Sequence, residues 1–251
     1  MIEFKNLSKQ YQKEKPFAVK NLNFEVKKGE IFGFLGPNGA GKSTTINMLM
    51  GVLKPSKGCV VVDNHVVSDE SFLTKSMIGF VPDEPLFYEK MTGLQYIAFI
   101  CDVFDVDKNE RQERANRLIK LFNLEKAIDD RISSYSHGMK QKLGIISALI
   151  HEPKILVLDE PMVGLDPKAS YILKDVMKRF CDKGGTVFFS THVMEVAQNL
   201  CDNVGIINKG ELVYSTSLKE FNDKEDASLE KIFLEITGNE DLNSFVDEAM
   251  I

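Results

Sequence analysis

"GPNGAGKST", residues 36–44, lies between an apolar run, "EIFGFL" (30–35), and a stretch that reads as a helix, "TTINMLMG" (44–51). It satisfies G-x-x-x-x-G-K-[ST] in the strand–loop–helix context that gives the spacing its meaning. Gly36, Gly39 and Gly41 let the backbone turn successive N–H groups inward as an anion nest, and the following helix directs its positive end at the same point. Lys42 adds a full charge suited to β- and γ-phosphates, and the Ser43 hydroxyl is placed to bind Mg2+. A glycine turn that merely opens a helix leaves Lys42, Ser43 and the preceding strand unexplained. The loop as a whole, Gly36, Pro37, Asn38, Gly39, Ala40, Gly41, Lys42, Ser43 and Thr44, is therefore expected to cradle the phosphates of a nucleotide.

A second apolar run, "KILVLDE" (154–160), ends in paired carboxylates. Asp159 at such a strand tip is suited to holding Mg2+, directly or through water, while Glu160, one residue on and expected on the other side of the pleat, can polarise a water for in-line attack on a γ-phosphate. These two motifs imply nucleotide hydrolysis or phosphoryl transfer without choosing between a kinase, a GTPase and an ATPase. "NKGE" (208–211) imitates a guanine-reading NKxD sequence, but Glu211 replaces the Asp and the segment reads as a hairpin turn.

Around these motifs, "EIFGFLG", "KILVLDE" and "TVFFST" (186–191) are apolar on both alternations, the pattern of strands covered on both faces of a parallel sheet. Ala169, Ile172, Leu173, Val176, Met177 and Phe180 follow helical spacing, which predicts an amphipathic helix over 166–183 packed on that sheet. Residues 92–151 contain no strand pattern. "TGLQYIAFICDVF", "ERANRLIKLFNL" and "GMKQKLGIISALI" are helix-period throughout, with Ala115, Leu118, Ile119 and Phe122 on one face. The N-terminal "IEFKNLSKQY" and "AVKNLNFEV" read as antiparallel strands, and "GIINKGELVY" (205–214) as a hairpin. Short helices are expected at "SLKEF" and "SLEKIFLEITG", followed by a tail from Asn239 with carboxylates and no Lys or Arg, read as a mobile or docking piece. The fold class is thus α/β: a P-loop NTPase core with a mainly parallel central sheet, an N-terminal antiparallel β subdomain and an all-helical insert. The expected division is a core lobe of residues 1–84 and 152–215, a helical subdomain of 85–151 and a C-terminal extension of 216–251.

With 251 residues, 43% of them apolar, the chain can bury a sizeable core. Its formal net charge of −6 argues against a nucleic-acid-gripping role, which needs a clustered basic face. Cys59, Cys101, Cys181 and Cys201 are widely spaced and form no CxxC or Cys/His cluster, so no disulfide framework or zinc site is expected and a reducing compartment is. "IEFKNLSKQY" after Met1 is strand-like and polar, so no signal peptide is expected. No apolar stretch approaches the roughly 20 residues of a bilayer span. A role at a membrane requires another chain to cross it.

Three further segments fall in a fixed order: "YSHGMKQKL" (135–143) before the "LDE" strand, "GLDP" (164–167) after it, and "STH" (190–192) at the end of the next. With the two phosphate motifs, the chain from about Tyr11 to Tyr214 closely resembles the nucleotide-binding domain of ATP-binding-cassette (ABC) proteins. The resemblance implies that Tyr11 stacks on adenine and that His192 contacts the γ-phosphate and helps position the attacking water. "YSHGM" resembles the family signature LSGGQ but departs from it at Tyr135, His137 and Met139. Ser136 and Gly138 remain, and the resemblance implies that they grip the γ-phosphate of ATP on a second subunit, in a head-to-tail dimer, homo- or heteromeric. Ser136 is equally suited to capping its helix.

The resemblance also draws attention to "VPDEPLFY" (81–88), where the family has a glutamine-bearing loop. Asp83 stands in place of that glutamine. A carboxylate there can still hold Mg2+ through oxygen but lacks the amide's donor. Asp83 joins Ser43 and Asp159 as an expected metal ligand, Glu84 is expected to be solvated, and Leu86, Phe87 and Tyr88 are expected to line an apolar groove for a membrane permease. The implied protein is an ATP- and Mg2+-dependent ATPase, cytoplasmic and peripheral on the inner face of the cell membrane through its permease, with no nucleic-acid partner. The alternative is a soluble ABC ATPase acting on ribosomes or another complex, a class that usually carries two cassettes.

Overall fold

The structure is a computed structural model that describes residues 1–68, 72–222 and 228–237. The strands are β1 (Ile2–Lys9), β2 (Val19–Val26), β3 (Ile31–Leu35), β4 (Lys57–Val62), β5 (His65–Val66), β6 (Ile78–Val81), β7 (Ile155–Asp159), β8 (Thr186–Thr191), β9 (Asn203–Asn208) and β10 (Glu211–Ser217). The helices are α1 (Lys42–Leu49), α2 (Phe72–Ser76), α3 (Gly93–Val103), α4 (Lys108–Leu121), α5 (His137–Leu149), α6 (Pro167–Asp182), α7 (Met194–Leu200), α8 (Leu218–Asn222) and α9 (Leu229–Thr237). The acidic tail from Asn239 lies outside the described residues.

Two sheets form the frame. One is four-stranded and antiparallel, ordered β2-β1-β4-β5. The other is six-stranded, ordered β10-β9-β3-β8-β7-β6, parallel from β9 to β6 with β10 closing one edge antiparallel. Every residue of β3, β7 and β8 is buried, as their double-sided apolar pattern requires. The two sheets are joined through stacked aromatics: Phe4 and Phe24 lie 4.2 Å apart, and Phe32, Phe34 and Phe188 complete the cluster. Burying each such ring contributes roughly 1.5–3 kcal/mol before entropy is counted.

The opposite face of the parallel sheet is covered by α6, which buries Ala169, Leu173 and Met177, and by the helical segment α3–α5. Within that segment Ala115, Ile119 and Phe122 are buried and Leu118 partly so, the face that their spacing describes. Residues 92–151 carry no strand, only an isolated antiparallel bridge between Thr92 and Arg131. α3 begins with a capping box in which Thr92 and Gln95 bond each other's backbone. The β9–β10 hairpin turns at Lys209 and Gly210, both at positive φ. No helix among the described residues is long and apolar enough to cross a membrane.

The register brings the site together. Leu35 pairs with Thr191, Ser190 with Asp159, and Leu158 with Val81. The carboxyl ends of β3, β8, β7 and β6 are therefore adjacent, and the loops leaving them meet outside the sheet edge, where ligands bind in open parallel sheets.

Candidate active site

The phosphate loop follows β3 and ends in α1. Gly41 has φ +112, and a Cβ built there would lie 2.7 Å from the Ala18 carbonyl oxygen, so both conformation and space demand glycine. Lys42 is buried, and its Nζ donates to the Gly36 carbonyl at 2.8 Å and the Pro37 carbonyl at 3.4 Å, curling the loop around its own ammonium. The cleft above, about 190 Å3, is lined by the loop residues Pro37 to Thr44 apart from Ala40, with Ala18 on one side and Asp83 and Glu160 on the other. Ala40 is buried. Tyr11 is 60% exposed beside this loop, its hydroxyl 3.3 Å from Thr44 Oγ1 and the Lys9 ammonium over its ring.

The two carboxylates after β7 have different surroundings. Asp159 is buried and its Oδ1 accepts a short bond from Ser190 Oγ on the neighbouring strand. Glu160 does not continue the pleat: at φ 47 it leaves β7 in the left-handed region, and its N–H donates to the Ser190 carbonyl and hydroxyl, each at 3.2 Å. The expected alternation across the pleat is thus replaced by a turn. It points the side chain to Lys42, with Nζ 3.3 Å from Oε1, and to His192, whose Nδ1 is 3.0 Å from Oε2. Oε1 is buried without a hydrogen-bond partner. Its charge is met by the Lys42 ammonium alone, and a bound water or ligand would add the missing hydrogen bond.

Asp83 follows β6 and faces the same cleft. Partial desolvation, then the neighbouring charges of Asp159, Glu160 and Glu84, raise its pKa, with His137 acting in the opposite direction. The oxygens of Ser43, Asp83 and Asp159 are hard donors of the kind Mg2+ takes, and the crowding of three carboxylates is what a divalent cation would neutralise. Among the described residues no cluster of three or more His, Cys, Asp and Glu side chains forms a self-sufficient metal site. Any such ion depends on ligands from the nucleotide or water.

Ser136 and Gly138 are not part of the cleft. Ser136 caps α5, its Oγ accepting from the Met139 N–H at 3.3 Å. A Cβ on Gly138 would meet the Gly164 carbonyl at 2.6 Å, and one on Gly164, whose φ is +78, would fall 2.0 Å from His137 Cδ2. The "SHG" turn and the "GLDP" loop of the same chain are in close contact. Asp166 in that loop caps α6 and pairs with Lys142 of α5 at 2.6 Å. Leu86 is 91% exposed, Tyr88 is exposed and Phe87 half-buried, with Leu86 and Phe87 on the wall of a groove between α3, α5 and the loop after β6. Sequence reasoning quoted Ser190 within "STH" but missed that it holds both Asp159 and Glu160. Its position on a central strand beside a carboxylate-tipped one was the available signal.

The family model described as ABC transporter matches residues 19–163. The linearmycin resistance ATP-binding protein LnrL of Bacillus subtilis is 37% identical over 213 residues, 85% of this chain and 68% of that protein. A solved ATP-binding subunit of an ABC transporter superposes with TM-score 0.88 at 29% identity, covering 94% of this chain and 99% of the other. A dimeric ATP-binding cassette in a post-hydrolysis state, bound to ADP and phosphate, superposes with TM-score 0.79 at 28% identity over 87% of this chain and 99% of that one.

Proposed function

The chain belongs to the ABC transporter family and is an ATP-hydrolysing subunit, and from that premise we propose that it powers a separate transmembrane permease from the inner face of the membrane, as a head-to-tail dimer with ATP between phosphate loop and signature. The observation that carries the catalytic part is the buried, unpartnered Glu160 Oε1 facing Lys42 across the cleft. That oxygen has no hydrogen bond and faces only the Lys42 ammonium, so a nucleotide that draws Lys42 to its phosphates leaves it free to accept a proton from a water, while Oε2 is occupied by His192.

In this reading the phosphate loop and the α1 terminus bind the triphosphate, and Tyr11 stacks on adenine. The water oxygen bonds to the γ-phosphorus as the bond from phosphorus to the bridging oxygen of ADP breaks, and Glu160 takes the water's proton. Lys42 stabilises charge on the transferring group, and His192 orients both Glu160 and the γ-phosphate. Ser43, Asp83 and Asp159 would hold Mg2+, which screens phosphate charge when bound. Ser136 and Gly138, at the start of α5, would reach the ATP of the second subunit. In this reading the signature belongs to a helical lobe (85–151) and Asp83 to a core lobe (1–84 and 152–215). The groove carrying Leu86 and Phe87, with Tyr88 beside it, receives the permease.

The test is purification of the tagged chain from membranes of cells that also express its genomic neighbours. A multi-span membrane protein is expected to co-purify in stoichiometric amount and to raise ATP turnover. Sedimentation with ribosomes instead would overturn the transporter reading.

A further inference from the structure

Gln141, on α5, is 1% exposed. Its Nε2 donates to the Pro161 carbonyl at 3.4 Å, while its Oε1 is buried with no hydrogen-bond partner. An amide with one orphaned oxygen is unfavourable in a protein interior. Methionine would fill nearly the same volume without that penalty, so packing does not account for a glutamine here. What the amide adds is the bond to Pro161, the residue directly after Glu160.

That bond falls at a strained place. Glu160 has φ 47, in the left-handed region, which a residue with a side chain keeps only where its surroundings fix it from several directions. The Ser190 carbonyl and hydroxyl take its N–H, and its own carbonyl accepts from the Val163 N–H at 3.1 Å, closing a turn with Pro161 in second place. The carbonyl of that second residue takes no part in the turn's own hydrogen bond and needs a partner from elsewhere. Pro161 is buried, and the partner is Gln141. Ser190 belongs to the sheet and Val163 to the turn itself, whereas Gln141 reaches the turn from the helical segment. Two other α5 contacts fall farther along the same loop: Gly138 lies against Gly164, and Lys142 pairs with Asp166. Of the three, it is Gln141 that acts on the Glu160 turn.

We propose that Gln141 is a positioning residue for ATP hydrolysis: by holding the Pro161 carbonyl it fixes the turn that aims Glu160 at the cleft. The inference rests on the reading of Glu160 as the group that takes the water's proton. Gln141 is not among the residues lining the cleft, and the phosphate loop is carried by β3 and α1. Loss of the bond therefore leaves nucleotide affinity in place and displaces the carboxylate alone. A misplacement on the order of 1 Å at a reacting group is enough to cost up to roughly 100-fold in rate.

The experiment compares Gln141→Met and Gln141→Asn with the natural chain in three measurements: thermal unfolding, affinity for a non-hydrolysable ATP analogue by titration calorimetry, and single-turnover hydrolysis of ATP. The hydrolysis is repeated for each in the Glu160→Gln background. Gln141→Met is expected to unfold at a temperature no lower than the natural chain and to bind the analogue equally well, while hydrolysis slows by roughly 10- to 100-fold. Gln141→Asn keeps the amide but is a methylene too short for Pro161, and is expected to slow to a similar degree. In the Glu160→Gln background neither substitution slows the residual hydrolysis further, because the turn then carries no proton acceptor to misplace. Equal slowing in both backgrounds would mean that Gln141 acts apart from Glu160 and would overturn the proposal. So would a natural rate in Gln141→Met, or in Gln141→Asn, since the amide would then work without reaching Pro161. A Gln141→Met chain that unfolds early and loses analogue affinity together with turnover would reduce Gln141 to a support of the fold. If Glu160→Gln alone leaves hydrolysis intact, it is the reading of Glu160 that fails, and the inference falls with it.

Discussion

Lys42 Nζ lies 3.3 Å from Glu160 Oε1 in a pair whose side chains are only 7% and 11% exposed, while His192 holds the other carboxylate oxygen at 3.0 Å. The Lys42 ammonium and the Glu160 carboxylate neutralise each other in this arrangement. Such a shielded pair is sensitive to the loss of one member, because the survivor remains charged and desolvated. In the proposed mechanism the phosphates of ATP would replace Glu160 as the partner of Lys42 and free Oε1 for a water.

Glu160→Gln follows from this. The glutamine keeps the shape and the His192 contact but cannot take a proton, and Lys42 retains its Gly36 and Pro37 carbonyls. Turnover is expected to fall by roughly 10²–10⁴-fold with ATP affinity preserved. ATP should then trap a dimer, and size-exclusion chromatography with ATP that shows only monomer would count against the two-subunit site.

Lys42→Ala removes the charge from the centre of the anion nest. Losing charge-assisted contacts to two phosphates, each about 1.5–3 kcal/mol, weakens ATP by ~100-fold or more. Titration calorimetry checks this directly, and retained affinity would overturn the phosphate-loop assignment.

The fold was legible where one physical pattern dominated. β3, β7 and β8 are buried on both faces and read as unbroken apolar runs, and α6 shows its stripe because one side only meets the sheet. β4 was missed: its "VVV" run is short, and its second residue is Gly58 at φ +73, where a Cβ would meet the Lys5 carbonyl at 2.2 Å. Only pairing with β1 makes it a strand. α7 was missed for a similar reason, since seven residues are too few for periodicity to stand out. The phosphate loop was readable because its spacing is local. The Glu160 turn, its ties to Lys42 and His192, and the Ser190 support depend on strand adjacency across about 30 residues of sequence or more, which no local pattern encodes.

Asp83 is tested by Asp83→Asn. The substitution removes one of the carboxylates that crowd the cleft and leaves an amide oxygen as acceptor. The Mg2+ concentration for half-maximal turnover is expected to rise several-fold, with ATP affinity in the absence of Mg2+ unchanged or improved, since one negative charge beside the phosphates is gone. An unaltered Mg2+ titration would remove Asp83 from the metal's ligands.

Gly164→Ala tests the contact between signature and "GLDP" loop. The new Cβ meets the His137 ring and also sits at φ +78, two separable penalties of roughly 1–3 kcal/mol together. His137→Gly in the same chain relieves the first only. Denaturant unfolding should therefore show Gly164→Ala as destabilising, with about half of the loss recovered in the double variant, and strictly additive effects would show that ring and loop are not coupled.

Asp166 offers a pH test with a definite sign. Its carboxylate accepts a bond from Lys142 and from the Ala169 N–H, and these, the lysine first, hold its pKa below the ordinary value of 3.8. A depressed folded-state pKa contributes stability that is present above 3.8 and is lost as pH falls through the lower, folded-state value. Asp166→Asn keeps the helix cap but has no charge to titrate, so its stability relative to the natural chain should be lower at neutral pH and converge on it in strong acid. Asp166→Ala loses the cap as well, a further ~1 kcal/mol at every pH. Urea midpoints for the three proteins, measured from neutral pH to below 3.8, separate the two contributions. A gap between the natural chain and Asp166→Asn that stays constant across that range would mean that the Lys142 pair adds nothing to stability, and that the cap alone fixes the start of α6.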